Sequence, residues 1–447
     1  MTTKATLPEP RIRRGPVRAT ERALAPDLAR GAMLLFIALA NSAGYFLASA
    51  PGVETDPRGF ERFHNFFMVE FIHARAFPLF ALMFGYGLVQ LARRQEEAGA
   101  TPGQVRRVLL RRNAWLFVFG IAHGLLLYSG DFLGAYGLIG IAFTLLLLQR
   151  SDRVHRFAPW YLAIGGLYTL VLAALVVVGL GSGSGDAAIP LSPFPSVEAA
   201  TYLASLGERL AEWPVHTAML LPMILMVWVG AWAGRRRLLE TPERHLPLLR
   251  SAAIGGLAVA VLAGMPMALL SGGFLHVDEG TAASMKMLYE TSGFFGGIGY
   301  AALFGLIAHA LSGRRAGLVV TAVSALGQRS LSGYLFQSVA WMVLATPFML
   351  ALDERAGSPL LVSQACALAV WVLTVAVAYL AHRRGYRGPA ETLLRRLAYG
   401  PTGGAPGGPR PAVPGAPRAW VFAQVAFRLA GEQADAVIDA PGFLEHP

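Results

Sequence analysis

Apolar residues run through this chain in long unbroken stretches, separated by short segments in which arginines and acidic residues gather by turns. A bilayer's hydrocarbon core is about 30 Å thick and takes roughly 20 residues of helix to cross. At that scale about ten runs qualify, near residues 28–50, 67–91, 114–129, 132–149, 158–180, 215–234, 247–271, 291–311, 331–351 and 358–382. The pattern predicts an all-α, polytopic transmembrane helical bundle of about ten spans.

Charge fixes how such a bundle is threaded, because loops kept in the cytoplasm are enriched in Lys and Arg. Basic clusters stand at residues 11–18, 93–112, 149–156, 234–245, 312–315 and 382–396. They fall before the first run and after the second, fourth, sixth, eighth and tenth. The alternate loops hold acids: Glu54, Asp56 and Glu61; Asp131; Asp186, Glu198, Glu208 and Glu212; Asp278, Glu279 and Glu290; Asp353 and Glu354. An even number of spans with both termini cytoplasmic satisfies every loop.

Composition agrees: 55% of residues are hydrophobic and 15% charged, and the mean hydropathy is +0.49. That leaves too little polar surface for a soluble body of 447 residues. The net charge of +11 is then a topology signal and an attraction for anionic headgroups of the lipid bilayer. No aromatic-interleaved basic module points to nucleic acid. With Cys366 as the single cysteine, no intramolecular disulfide or cysteine-based metal site can form. No His-x-x-x-His or clustered carboxylate pattern suggests a metal. The first run is too long for a cleaved signal peptide and reads as a retained signal anchor.

The chain divides accordingly into a basic segment 1–27, a transmembrane domain 28–399 and a Pro/Gly-rich tail 400–447. Within the domain, residues 181–213 open with Gly, Ser and Pro and read as an extracytoplasmic loop long enough to cover a cavity mouth, with a short helix near its end. In the tail, Phe422, Val425, Ala426 and Leu429 would share one helical face able to lie on a membrane.

Ionisable residues inside apolar runs are the candidates for function, since each costs roughly 2.5–3.5 kcal/mol at the bilayer centre and should face protein interior or water. The second run holds Glu70, His73 and Arg75; on a continuous helix the first two share a face and Arg75 turns away. The third holds Phe119-Gly120-x-x-His123, followed by Gly130-Asp131. His123 and Asp131 are roughly 12 Å apart along an unbroken helix, but a turn at Gly130 could carry Asp131 back over a cavity lined by His123. Histidine titrates nearest neutrality, which makes His123 the leading general base. His123 and Arg75 are expected to share one wet chamber. At the first run, Asp27 and Arg30 are three apart and able to pair, while Asn41 lies near mid-membrane and needs a partner.

Asp27-Leu-Ala-Arg30-Gly31 with Asn41, FPLFALMFGYGLVQLARR, LLRRNAWLFVFGIAHGLLLYSGDFLGAYGLIG, ALGQRSLSGYLFQS and RGPAETLLRRL together resemble the YeiB-like family of bacterial integral membrane proteins. The likeness runs from about residue 20 to residue 399. That family is similar to the wider transmembrane acyltransferases, the heparan-alpha-glucosaminide N-acetyltransferases and membrane O-acyltransferases among them. In the glucosaminide enzymes the catalytic histidine lies in the loop after the first helix, where this chain offers only His64, without the surrounding motif.

The resemblance implies a multi-pass protein of the bacterial cytoplasmic (inner) membrane. It would move an acyl group from a cytoplasmic thioester donor, acyl-CoA, to a glycan or lipid acceptor, with no permanently bound cofactor. His123, with Asp131, would be the base and Arg75 or Asn41 the oxyanion donor; Arg30, Arg111, Arg112, Arg329 and Arg387 would contact the donor's phosphates. The competing class is a transporter or permease, for which Gly293, Gly296, Gly297 and Gly299 would permit close packing or a bend. A third is a binding or signalling protein without turnover.

Overall fold

The computed structural model describes residues 23–182, 185–313, 316–352 and 358–399. The chain divides into two compact units, Met1–Gly404 and Ala405–Pro447. The second unit, with the expected tail helix, lies outside the described residues, as does the basic segment 1–22.

The first unit is a helical bundle. Its elements are α1 (Leu24–Phe46), α2 (Phe60–Phe67), α3 (Ala76–Glu97), α4 (Pro102–Leu126), α5 (Leu133–Leu146), α6 (Asp152–His155), α7 (Ala158–Ser182) and α8 (Pro195–Glu198). Then come α9 (Tyr202–Leu220), α10 (Ile224–Arg235), α11 (Leu246–Ser271), α12 (Glu279–Ala310), α13 (Leu318–Gly327), α14 (Ser330–Ala345), α15 (Pro359–Arg383) and α16 (Pro389–Tyr399). Among the described residues the only sheet is a ladder of Ser49–Ala50 with Ser192–Pro193.

A helix lies under each of the ten predicted runs, and seven stretches have the length and composition of a membrane crossing. These are Leu24–Phe46, Phe60–Glu97, Asp152–Gly181, Tyr202–Arg235, Leu246–Ser271, Glu279–Ala310 and Pro359–Arg383. Helices α5, α13 and α14 are apolar but shorter. Helix α4 has 25 residues, with Arg106, Arg107, Arg111 and Arg112 in its first half.

Local chemistry sets the starts. Thr101 and Gln104 cap α4 reciprocally with Pro102 in its first turn, and Asp278 and Ser358 cap α12 and α15. Two boundaries depart from the sequence pattern. The short helix expected near the end of the 181–213 loop is the first part of α9, but it does not stop there: α9 runs through Pro214 and reaches α10 by a 3₁₀ turn at Leu221–Met223. The second run is not one helix: α2 passes into a π-helical turn, Met68–Ile72, and the chain then breaks at Ala74, where φ is +56°.

The alternation of charge along the sequence appears as two ends of the bundle. Arg93 pairs with Glu240 at 2.5 Å, Arg235 with Asp152 at 2.6 Å, and Arg111 donates to the Leu397 carbonyl at 3.1 Å. The basic loops therefore meet one another. The acid-bearing loops also meet: Asn65 donates to the carbonyls of Glu54 and Ser271, Ala187 N to that of Val277, and Lys286 to that of Pro190.

Glycines let the helix backbones approach. A Cβ on Gly85 of α3 would lie 1.9 Å from the Val227 carbonyl oxygen, and one on Gly230 of α10 would lie 2.0 Å from that of Leu82. The two positions fit reciprocally, the small-residue packing on which helices in lipid depend. Gly85→Val is accordingly expected to lower the thermal unfolding midpoint in detergent by several degrees, while Gly103→Ala, with open space around it, leaves it within a degree.

Candidate functional site

A cavity of about 760 Å³ runs through the bundle. On α1 it is lined by Pro26, Arg30, Met33, Ile37, Asn41 and Gly44; on α3 by Phe77, Phe80, Phe84, Gly87, Leu91 and Arg94. Both sets recur every three or four residues, so each is one face of its helix. From Pro26 to Gly44 is about 27 Å at 1.5 Å per residue. The cavity thus extends over most of a bilayer's thickness.

Its two ends differ chemically. The end at the basic loops carries Arg30, Arg94, Arg112, Gln90, Gln328 and Glu391. Apolar and aromatic walls follow, Met33, Phe80, Phe84 and Tyr136 among them. The opposite end is lined by Asn41, His73, His216, Lys286, Tyr289 and Glu290, and there Ser192 and Phe194 of the 185–201 segment complete the wall. That segment is pinned by the small ladder to the chain just after α1 and by Phe194 N to the Ala48 carbonyl at 2.8 Å. It contributes Ser192 and Phe194 to the wall at that end of the cavity.

Beside the wall stands a chain of three buried side chains. His123 Nδ1 lies 2.8 Å from Asp131 Oδ1, and His123 Nε2 lies 2.8 Å from Ser338 Oγ. Because a carboxylate only accepts, Nδ1 carries the proton and Nε2 accepts from the serine. Asp131 is itself fixed by Leu133 N (3.0 Å), Gly134 N (2.7 Å) and Trp213 Nε1 (3.4 Å). The 12 Å separation holds only for an unbroken helix; α4 ends at Leu126, and the turn that follows folds Asp131 back onto the imidazole. Sequence spacing located the pair but not Ser338, which is 215 residues away in α14.

The shared chamber does not exist. Neither His123 nor Arg75 lines the cavity. Tyr334 stands between His123 and the cavity, its ring centroid 4.9 Å from that of the imidazole. Arg75 lies behind another tyrosine: it donates to the Ala260 carbonyl at 2.8 Å and its guanidinium is 4.8 Å from the ring centre of Tyr289. The grouping of Glu70, His73 and Arg75 is also reversed from the helical-wheel expectation. The π turn and the left-handed Ala74 rotate Arg75 towards Glu70, so that a Cβ on Gly264 would meet both, at 2.2 Å from Arg75 Nη2 and 3.2 Å from Glu70 Oε2. His73 instead faces the cavity.

The expected phosphate rim separates in the same way. Arg30 and Arg112 line the cavity. Arg30 reaches Asp27 at 3.8 Å, and Arg112 bonds Asn113 at 3.0 Å. Arg111 is exposed on the outside of α4, Arg329 is bonded to the carbonyls of Ala325 and Tyr386, and Arg387 is exposed in the turn before α16; none of the three is a cavity residue. Arg94, not among the expected site residues, takes their place. His64 sits in α2, away from the cavity lining.

Five buried polar atoms with no hydrogen-bond partner belong to residues of the cavity wall: Asn41 Nδ2, His73 Nε2, His216 Nε2 and the hydroxyls of Tyr289 and Tyr334. A buried polar atom normally finds a partner, so unpaired ones on a cavity wall are available to something inside it. Nothing in the sequence singled out His216, which lies two residues beyond Pro214 in α9.

The chain has relatives. Residues 233–401 match the family model described as a protein of unknown function, DUF418. The chain is 25% identical over 282 residues to the uncharacterized protein YxaH of Bacillus subtilis, covering 55% of this chain and 66% of that one. It is 26% identical over 412 residues to the uncharacterized protein YeiB of Escherichia coli, covering 86% of this chain and 98% of that one. A third relative, an uncharacterized 39.9 kDa protein of Bacillus acidopullulyticus, is 29% identical over 222 residues, 48% of this chain and 55% of that one. The matched region is thus just under two thirds of YxaH and about half of the third protein, but nearly all of YeiB.

Arg75 is buried with its guanidinium on the Ala260 carbonyl and against the Tyr289 ring. A hydrogen bond made by a charged group is typically worth about 1.5–3 kcal/mol. Arg75→Met is therefore expected to lower the thermal unfolding midpoint of the full chain in detergent by several degrees.

Proposed function

The chain is a YeiB-like multi-pass membrane protein with a DUF418 region, and on that premise we propose that it is an acyltransferase of the bacterial cytoplasmic membrane. It takes an acyl group from a cytoplasmic thioester and hands it to a hydroxyl or amine that enters from the opposite side. One observation carries the reading: a single cavity runs the length of α1 and α3, arginine-lined at one end and supplied with unpaired histidine and amide groups near the other.

Each part has a chemical reason. An acyl-CoA donor carries phosphates, and Arg30, Arg94 and Arg112 supply the cationic end that would hold them. The apolar, aromatic middle suits a thin uncharged arm and an acyl chain. Asn41, His73 and His216 bind and orient the acceptor. Acyl transfer also needs a base and an N–H donor for the oxyanion that develops on the thioester carbonyl. His123, oriented by Asp131, is the base behind the wall, and the side-chain amide of Asn41, a residue of the cavity wall, is the N–H donor.

The test uses the full chain in lipid nanodiscs with acyl-CoA and candidate glycan or lipid acceptors. Thiol release should appear, and His123→Ala should lower it by about 10²–10⁴-fold, the usual worth of a general base. Asn41→Ala should cost about 10²–10³ in kcat, the usual worth of one oxyanion donor. Solute uptake into vesicles with no thioester cleavage would replace this reading with the transporter.

A further inference from the structure

Serine and threonine hydroxyls in lipid-buried helices ordinarily bond back to the carbonyl four residues earlier. This chain follows the habit at Thr169 (2.8 Å to Gly165 O), Thr346 (2.6 Å to Met342 O) and Thr374 (2.5 Å to Val370 O). Ser338 keeps that back-bond only at its long limit: Tyr334 O is 3.4 Å away, whereas His123 Nε2 is at 2.8 Å. The hydroxyl is thus aimed at an imidazole whose other nitrogen is held by a carboxylate.

From this geometry we infer that Ser338 is a nucleophile that carries the acyl group as an ester between donor and acceptor; the inference rests on the acyl-transfer reading above and deepens it. Serine, histidine and a carboxylate in this hydrogen-bonded order recur on unrelated folds and are recognised by geometry. Direct attack of an acceptor on the thioester would need a free Nε2. Here that nitrogen is occupied by Ser338, so the first proton His123 can take is the serine's.

The steps balance without a further reactant. In the first half, Ser338 Oγ gives its proton to Nε2 and attacks the thioester carbonyl; the C–S bond breaks and the departing sulfur takes the proton from Nε2. In the second half, the acceptor's proton passes to Nε2 while its oxygen or nitrogen attacks the ester. The bond from the acyl carbon to Oγ breaks and the serine regains its proton. Asp131 never touches the reacting atoms and acts as a positioning residue. Trp341 lies three residues beyond Ser338, hence beside it on α14; its buried indole Nε1–H has no partner and is a donor ready for the oxyanion.

Access also follows from α14. Ser330, Leu331 and Tyr334 line the cavity, and Ser338 extends that face by one turn beyond its end. Gly130 and Phe132, the neighbours of Asp131, line it too. The catalytic group therefore sits one side chain behind the wall, and the Tyr334 ring has to rotate for a donor in the cavity to reach it.

A fluorophosphonate probe and acyl-CoA, each added to the full chain in nanodiscs and followed by peptide mass spectrometry, test the inference. The probe should label Ser338, at least tenfold less in His123→Ala, and faster in Tyr334→Ala. With acyl-CoA and no acceptor, the Ser338 peptide should gain the acyl mass, and Ser338→Cys should gain it as a thioester. Ser338→Ala should lose transfer while keeping its unfolding midpoint. Undiminished transfer by folded Ser338→Ala would overturn the nucleophile and leave acyl transfer standing. Probe labelling of Ser338 in a protein that cleaves no thioester would instead overturn acyl transfer and leave an activated serine.

Discussion

Hydrocarbon offers a polar group no partner, and that one constraint sorts nearly every polar side chain in this bundle. Those that bond across helices are struts. Ser42 donates to the Ser363 carbonyl, Asn65 to those of Glu54 and Ser271, Tyr136 to that of Phe77, and Tyr300 to that of Phe71. Each ties elements far apart in sequence. Asn41, His73 and His216 have an unpaired atom instead, and all three border the same cavity. Hydrogen-bonded polar residues thus hold the helices in place, and some of the unpaired ones stand on the wall of a space that can hold a guest.

Backbone irregularity does the rest of the positioning. A straight helix through residues 60–97 would place His73 with Glu70 and turn Arg75 aside. The π turn and the positive φ of Ala74 change the phase between the two halves. Positive φ is unfavourable for alanine by roughly 1–2 kcal/mol, and π turns concentrate at functional positions. The break is accommodated by Gly293, where a Cβ would lie 2.2 Å from the Ala74 carbonyl oxygen. Its effect is to aim one imidazole at the cavity while burying the Glu70 and Arg75 charges behind it.

The helical runs and the sorting of loops by charge were legible because both are one-dimensional: run length reports bilayer thickness, and arginine reports the retained side. The His123 and Asp131 pair was legible as a candidate, since a glycine turn between two apolar runs brings close what a helix would keep apart. Ser338 was not. One serine among the many in apolar helices carries no local mark, and only the packing of α14 against α4 distinguishes it. The arginines show the opposite failure. Charge bias predicts all of them equally, yet Arg30, Arg94 and Arg112 border the cavity while Arg111, Arg329 and Arg387 do not. His73 and Arg75 were exchanged in role because the wheel assumed an unbroken helix.

The dimensions of the cavity bear on what kind of donor it could accept. Arg30 and Asn41 are eleven residues apart on α1, about 17 Å at 1.5 Å per residue. A compact thioester held at the arginines would never reach the amide. A molecule with a charged head, a long thin arm and the reactive carbonyl at the far end of that arm would span the interval, with its head at the basic end and its carbonyl near Asn41 and Tyr334. Coenzyme A thioesters have that shape. A freely transported small solute needs no such separation of a cationic end from a distant polar cluster, and it gives no reason to keep a carboxylate, an imidazole and a hydroxyl aligned one side chain behind the wall.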